Sequence, residues 1–216
     1  MRDHVAACAL AGVQSGFHVI GDAGLDLVLE GYEAAAALVG VELVRASRPR
    51  LEHAEMVDTD GIRRMARLGL RASVQPVFDA EWGGAEGMYA TRLGAARAVG
   101  TNPYADLVRA GVGLAFGADS PVTPFGPWAA VRAAVAHRDH AQRVSAEVAL
   151  DAHTRGGWAA AGDDGGGVLR TGGPATFAVW DDVTPGPDGL PVLGGGVPLP
   201  LCRLTVRAGV VLYAAG

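Results

Sequence analysis

At 216 residues, half of them hydrophobic and 19% charged, the chain can bury a real core and is too apolar for a disordered one. A net charge of -5 with no basic stripe excludes a binder of phosphate backbones. All 18 basic residues are arginines, so no lysine of this chain serves as a Schiff base, a P-loop contact or a carbamylated metal ligand.

The two cysteines, Cys8 and Cys202, lie far apart and form no CxxC, which suits a reducing cytoplasm. No apolar run reaches the roughly 20 residues of a membrane span. The opening stretch MRDHVAACALAGVQ is too polar to read as a signal peptide. The expectation is a cytoplasmic protein acting on a small molecule, with neither nucleic acid nor membrane as partner.

In chain order, residues 2–13 carry an apolar stripe at helical spacing: Val5, Ala6, Ala9, Leu10 and Val13. Residues 17–20 read as a first strand. Asp22 is placed to cap a helix over about 24–39 that closes at Gly40. A second strand is expected at 50–53, then a helix from Asp58 or Thr59 to Leu68, stopped by Gly69, and a third strand at 70–74. Residues 77–102 read as a long irregular region with one helix near 91–99, a length typical of functional loops. Asn102-Pro103 reads as a cap followed by proline at the first helical position, opening a helix to Ala110. A fourth strand, 112–116, precedes helices near 128–137 and 145–161.

Strands alternating with helices mean a parallel sheet with right-handed crossovers, either a (β/α) barrel or an open doubly wound sheet. No GxGxxG follows a strand, so a dinucleotide site has little support. The last third changes character. Residues 175–181 read as a strand, 182–200 as a Pro/Gly-rich loop, and 201–206 with 210–213 as a terminal hairpin. The expected division is 1–164 for the strand-helix units with the site residues, and 165–216 for a small β-rich segment.

Three segments end a predicted strand with ligand-type residues: Phe17-His18-Val19-Ile20-Gly21-Asp22, Leu51-Glu52-His53-Ala54-Glu55 and Gly117-Ala118-Asp119-Ser120-Pro121. The C-terminal ends of parallel strands meet at one mouth, where α/β folds place their chemistry. His18, His53 and Asp119 are therefore candidate ligands of one metal, with Asp119 also a candidate general base. Each histidine taken singly reads first as a hydrogen-bonded core residue; it is the recurrence of ligand types at equivalent strand ends that points to a metal. Asp22 reads as a helix cap. Glu52 and Glu55 flank His53, either supporting its orientation or merely solvated, with Glu55 read as solvated or structural. Ser120 beside Asp119 raises a Ser/His/Asp triad, but no GxSxG elbow accompanies it. His137 and His140 read as a solvated surface pair, and His4 and His153 carry no signal. Gln75 and Trp82 are candidates to line a pocket, and Arg92 to bind a substrate carboxylate, with packing or a surface ion pair as the alternatives.

These segments resemble the C-terminal half of the amidohydrolase superfamily, in its amidohydrolase-3 or YtcJ-like branch. His18-Val19-Ile20-Gly21-Asp22 resembles the strand-five motif of that branch, and Leu51-Glu52-His53-Ala54-Glu55 its strand-six motif. Ser73-Val74-Gln75-Pro76 resembles the end of strand seven, and Gly117-Ala118-Asp119-Ser120-Pro121-Val122 the strand-eight motif, with Ala118 in place of the usual serine. Gly173-Pro174-Ala175-Thr176-Phe177-Ala178-Val179 resembles the re-entry into an accessory β-sandwich.

The resemblance implies the C-terminal half of a TIM-like (β/α)8 barrel, about four parallel units, plus the remnant of a small β-sandwich. It implies a divalent metal, zinc first with iron or manganese as alternatives, held by His18, His53 and Asp119. The implied reaction is attack of metal-activated water on an amide, cyclic amide or related C–N bond, with Asp119 carrying the proton to the leaving nitrogen. The family's HxH pair and bridging lysine have no counterpart in this sequence. The expectation is therefore half a barrel that pairs with an N-terminal half or with a second copy, and is incomplete as an enzyme alone. The rival readings are a non-catalytic half-barrel that acts through an oligomer interface, and an open α/β protein binding a small ligand at its strand ends.

Overall fold

The computed structural model describes residues 1–181, 185–186 and 189–216. Helix α1 (Arg2–Leu10) is followed by β1 (Gly16–Val19), α2 (Asp22–Val39), α3 (Val41–Ala46), β2 (Arg50–His53), α4 (Thr59–Leu68) and β3 (Arg71–Val74). Next come α5 (Pro76–Trp82), α6 (Met88–Leu93), α7 (Ala95–Val99), α8 (Tyr104–Arg109), β4 (Leu114–Phe116) and α9 (Pro127–Val135). The chain continues through α10 (Ala146–Asp151), a π-helical turn (Ala152–Gly156) and α11 (Gly157–Ala160) to β5 (Phe177–Trp180), β6 (Cys202–Arg207) and β7 (Val210–Ala214).

The first four strands form one parallel sheet in chain order, β1-β2-β3-β4. This is a partial (β/α)8 barrel, because each strand is followed by helical crossovers and the sheet stays consecutive rather than reversing. Leu51 and Ala72, opposite one another in the β2–β3 register, are completely buried beneath the helices. The core fills the layer between sheet and helices, with Leu29 and Tyr32 from α2, Met65 and Leu68 from α4, and Tyr104 and Leu107 from α8. Helix α4 shows why the local sequence specifies its element. The Asp58 carboxylate accepts from the Gly61 N–H at 2.7 Å, and Gly69 closes the helix at φ 69°. Arg64 then ties α4 to Glu33 of α2 at 3.0 Å.

Some expectations change. Residues 77–102 hold three short helices rather than one, since Gly83, Gly87 and Gly94 start or stop a helix every few residues. Pro103 is the N-cap of α8 and not its first helical residue, because Asn102 takes a left-handed φ of 59°. Asp22 lies inside the first turn of α2, where its carboxylate accepts from the Ala23 N–H and pairs with Arg97 at 2.6 Å. Leu10 and Val13 fall outside the buried stripe of α1 and are exposed.

The expected 145–161 helix is interrupted by the π-helical turn. There Gly156 crosses so close to β4 that a Cβ would lie 2.1 Å from the Leu114 carbonyl oxygen.

The remaining strands form an antiparallel sheet, β5-β6-β7, within the expected β-rich segment. Ala208 and Gly209 both have positive φ at the hairpin, as a two-residue turn between twisted strands requires. Trp180 meets Trp128 of α9 edge to face at 6.0 Å and joins this sheet to the helices. Of the loop expected over 182–200, residues 182–184 and 187–188 lie outside the described residues.

Gly156→Ala should destabilise the fold by about 1–3 kcal/mol in urea unfolding, because the added methyl meets a backbone atom that cannot turn aside. Gly157→Ala, whose Cβ would meet nothing within 4 Å, should be neutral or stabilising by up to about 1 kcal/mol. Tyr32 gives a pH test. Its hydroxyl lies 3.0 Å from the Ser15 hydroxyl, and burial pushes the phenol up from 10.0 to about 12. The folded state therefore keeps this proton after the unfolded state has lost it. The associated stability, about 2–3 kcal/mol, should be complete below the unfolded value and lost as pH rises to about 12. Tyr32→Phe should flatten that part of the stability curve.

Candidate metal centre

His18 and His53 come from neighbouring strands, yet a regular pleat would not bring them together. In the β1–β2 register His18 is opposite Glu52, and His53 is opposite Val19. Partners share a face and successive residues alternate, so regular backbone would send the two imidazoles to opposite sides of the sheet. The backbone breaks the alternation: His53 has φ 72° and the following Ala54 φ 47°. The rings then meet edge to face with centroids 4.4 Å apart.

His53 is buried and held from two sides. Its ring stacks on Phe78 of α5 at 6.0 Å and 17°. The Gln75 amide nitrogen donates to the Ser73 carbonyl, which turns Oε1 of Gln75 toward His53 Nδ1 at 2.7 Å. An amide oxygen only accepts, so Nδ1 carries the proton and Nε2 keeps its lone pair. A ring fixed by an acceptor on one nitrogen, with the other nitrogen free, is the usual state of a metal-ligating histidine. The donor set at this pair therefore fits a divalent cation. His18 is exposed on its strand and makes no hydrogen bond among the described residues.

Asp119 follows β4 on an exposed turn with φ 50°, its carbonyl accepting from the Val122 N–H at 2.8 Å. Strands β1 and β4 are at opposite edges of the sheet, three strand spacings or about 14 Å apart. Among the described residues, no three His, Cys, Asp or Glu side chains come close enough to hold one ion. The structure thus brings His18 and His53 together and sets Asp119 at the same end of the sheet, apart from the pair. Ser120 makes no hydrogen bond to a histidine among the described residues.

The other candidates separate by element. Gln75 is buried and engaged with His53. Trp82 packs on Phe78 at 4.6 Å and faces Tyr89 at 6.3 Å, so rings from α5 and α6 continue the wall that begins at His53. Arg92 is exposed on α6 and makes no ion pair among the described residues. Glu52 pairs with Arg50 at 2.6 Å.

The solvated surface reading fails at His137, and of the two readings of Glu55, solvated or structural, the solvated one fails. Glu55 is 2% exposed, and burial pushes its carboxyl above the usual range, partly offset by the Tyr89 phenol and the nearby histidines. His137 is 1% exposed, because α9 continues its buried stripe of Ala130 and Ala134 onto it. Its Nδ1 lies 3.0 Å from the Asp139 nitrogen and 3.1 Å from the Asp139 carbonyl oxygen, and its Nε2 lies 3.6 Å from the Asp79 carboxylate. That spacing was legible in the sequence. Nothing in the sequence around Glu55 signals burial, which follows from the turn at His53 and Ala54.

The partial barrel and its strand-end imidazole pair define an α/β scaffold of the TIM-barrel type with a candidate metal centre. The model of the amidohydrolase family matches residues 1–213, and the chain belongs to that family. It is 34% identical over 166 residues to Protein LONG AFTER FAR-RED 3 of Arabidopsis thaliana, covering 71% of this chain and 27% of that protein. It is 29% identical over 127 residues to the putative amidohydrolase YtcJ of Bacillus subtilis, covering 57% of this chain and 22% of that protein. Among solved structures it resembles an uncharacterised metal-dependent hydrolase of Pyrococcus furiosus, with TM-score 0.65 and 29% identity, over 78% of this chain and 34% of that one. The chain spans about a quarter of the length of these curated relatives. Among the described residues, no helix is long and apolar enough to cross a membrane.

Gln75→Leu removes the acceptor on Nδ1. In the nitrogen spectrum of labelled histidine, His53 should change from one tautomer to a mixture, with a stability loss of about 1–3 kcal/mol. An unchanged tautomer would mean that Gln75 does not set the ring.

Proposed function

We propose that this chain carries one side of the centre of a metal-dependent amidohydrolase acting on an amide, cyclic amide or related C–N bond of a small molecule. The observation that carries this reading is the broken pleat at His53, which places a second imidazole against His18 with its proton anchored on Gln75. His18 and His53 would hold the ion, zinc first and iron or manganese otherwise, and Asp119 would join them from the end of β4. A divalent ion at such a site lowers the pKa of its water and polarises a carbonyl. Asp119, on an exposed turn, takes the proton of the attacking water on its carboxylate and returns it to the leaving nitrogen. Gln75 keeps the His53 lone pair available, the Phe78–Trp82 wall excludes water from one side, and Arg92 on α6 meets a substrate carboxylate. The net charge of -5 speaks against nucleic acid as substrate, and two free cysteines suit the cytoplasm.

The same reading asks for a partner. Val210, Val211, Leu212 and Tyr213 of the edge strand β7 are each at least half exposed, as are Leu169 and Leu201. Completion of the barrel by a chain bearing the other half, or association with a second copy, would cover these groups. They also favour the second reading, a half-barrel that folds and associates without catalysis.

Elemental analysis of the purified chain after zinc reconstitution tests the first reading. The expected result is near-stoichiometric metal, with affinity reduced at least roughly tenfold in His18→Ala and in Asp119→Ala. Absence of metal from the reconstituted wild-type protein would reject the metal centre of this chain and leave the non-catalytic half-barrel.

A further inference from the structure

Beside the imidazole pair lie a buried acceptor and a buried donor that the fold leaves unused. Oε1 of Glu55 and Nδ2 of Asn102 are both fully buried and without a hydrogen-bond partner among the described residues. They are on adjoining turns, tied by the Asn102 N–H donating to the Glu55 carbonyl at 2.7 Å. The Asn102 orientation is set, because its Oδ1 accepts from the Tyr104 hydroxyl at 3.2 Å and leaves Nδ2 as the free end. Leaving such groups unpaired costs free energy, so a pair of them beside a candidate centre asks for a ligand that answers both.

An acceptor and a donor left unpaired on adjoining turns match the two polar edges of an amide, whose N–H donates and whose C=O accepts. The rings of Phe78, Trp82 and Tyr89 form the adjoining wall, suited to a flat aryl group. Entry has a structural route. Tyr89, whose phenol lies against the Glu55 carboxylate, is on α6, a helix with no buried residue. Glycines with positive φ, Gly84 and Gly94, bracket that helix. A segment with so little buried surface opens at low cost.

We propose that Glu55 and Asn102 form a specificity subsite for an aryl amide bearing at least one N–H, reached by outward movement of α6. Oε1 of Glu55 accepts a hydrogen bond from the amide N–H, Asn102 Nδ2 donates to the amide oxygen, and the aryl group lies on the Trp82 side. This rests on the amidohydrolase reading for its place in a reaction, and on the unpaired side chains alone for binding.

The test measures binding of benzamide and N,N-dimethylbenzamide to the metal-free 216-residue chain by ligand-observed NMR. The wild-type chain should prefer benzamide by roughly tenfold. Glu55→Met keeps the side-chain length and removes the acceptor, so the preference should be lost. Asn102→Gly removes the donor while tolerating the left-handed backbone, so both probes should weaken by roughly tenfold with the preference kept. Both variants should keep the fold by circular dichroism. No measurable benzamide binding, equal binding of the two probes by the wild-type chain, an unchanged preference in Glu55→Met, or unchanged affinities in Asn102→Gly would overturn the subsite. A water held between Glu55 and Asn102 gives equal binding. Metal content, measured separately, decides the amidohydrolase reading. Loss of metal with the preference intact rejects that reading and not the subsite; metal bound with no preference does the reverse.

Discussion

The candidate site depends on one backbone irregularity. A parallel strand that kept its pleat through His53 would aim that imidazole into the helix layer and leave His18 alone on the other face. Two consecutive non-glycine residues with positive φ, His53 and Ala54, turn it back. Such conformations are sparsely populated and persist where their surroundings hold them. Here the surroundings are identifiable: the Gln75 hydrogen bond, the Phe78 ring, and the Ala54 N–H, which donates to the Val19 carbonyl at 2.9 Å. The same turn carries Glu55 inward, so the buried carboxylate and the paired imidazoles follow from one local distortion.

Similar departures cluster at the same end of the sheet. Asn102 and Asp119 also adopt left-handed backbone at positions that precede or follow the strands' C-terminal ends. The opposite end carries ordinary ion pairs, such as Arg50–Glu52 at 2.6 Å and Arg48–Asp164 at 2.5 Å. The opposite end has one such residue as well, Arg48 at φ 56°, but there the left-handed residue is engaged in an ion pair that supports the fold and not in the candidate site.

Most of the scaffold was legible because it rests on short-range signals. Asp58 and Gly69 bracket α4, an apolar run marks β4, and alternation of strands with helices implies the parallel sheet. The motif residues His18, His53 and Asp119 could be named, but not how they are disposed. Pleat parity argues against the contact of His18 with His53, and only the φ of His53 permits it. Asp119 is separated from them by a strand order that sequence pattern alone does not convert into distance. The helices at 76–99 were hidden because their punctuation by glycine reads equally as loop. Burial of Glu55 and Asp79 was illegible for a different reason. Carboxylates are ordinarily solvated, and only the convergence of α5, α9 and the turn after β2 removes water from these two.

Where this chain buries surface and where it leaves surface open then bear on one question. Its helix side is closed, with Leu51, Met65, Leu107 and Tyr104 each out of contact with solvent. Its other sheet face is not: Arg50 and Glu52, paired on it, keep about a third of their side-chain surface exposed. In a closed barrel that face is a packed interior. The second sheet shows the same asymmetry, with β6 half-buried and β7 exposed along its whole length. An edge strand of five apolar residues with both faces in water is a template for another strand. Both open surfaces border sheets whose covered faces are well packed, so the free energy of this chain is concentrated on its helices while its site-bearing face depends on what it meets. Two imidazoles meet because adjacent strands carry them, while Asp119 follows the strand at the other edge of the sheet, and how near such edges come is set by the curvature of the strands between them.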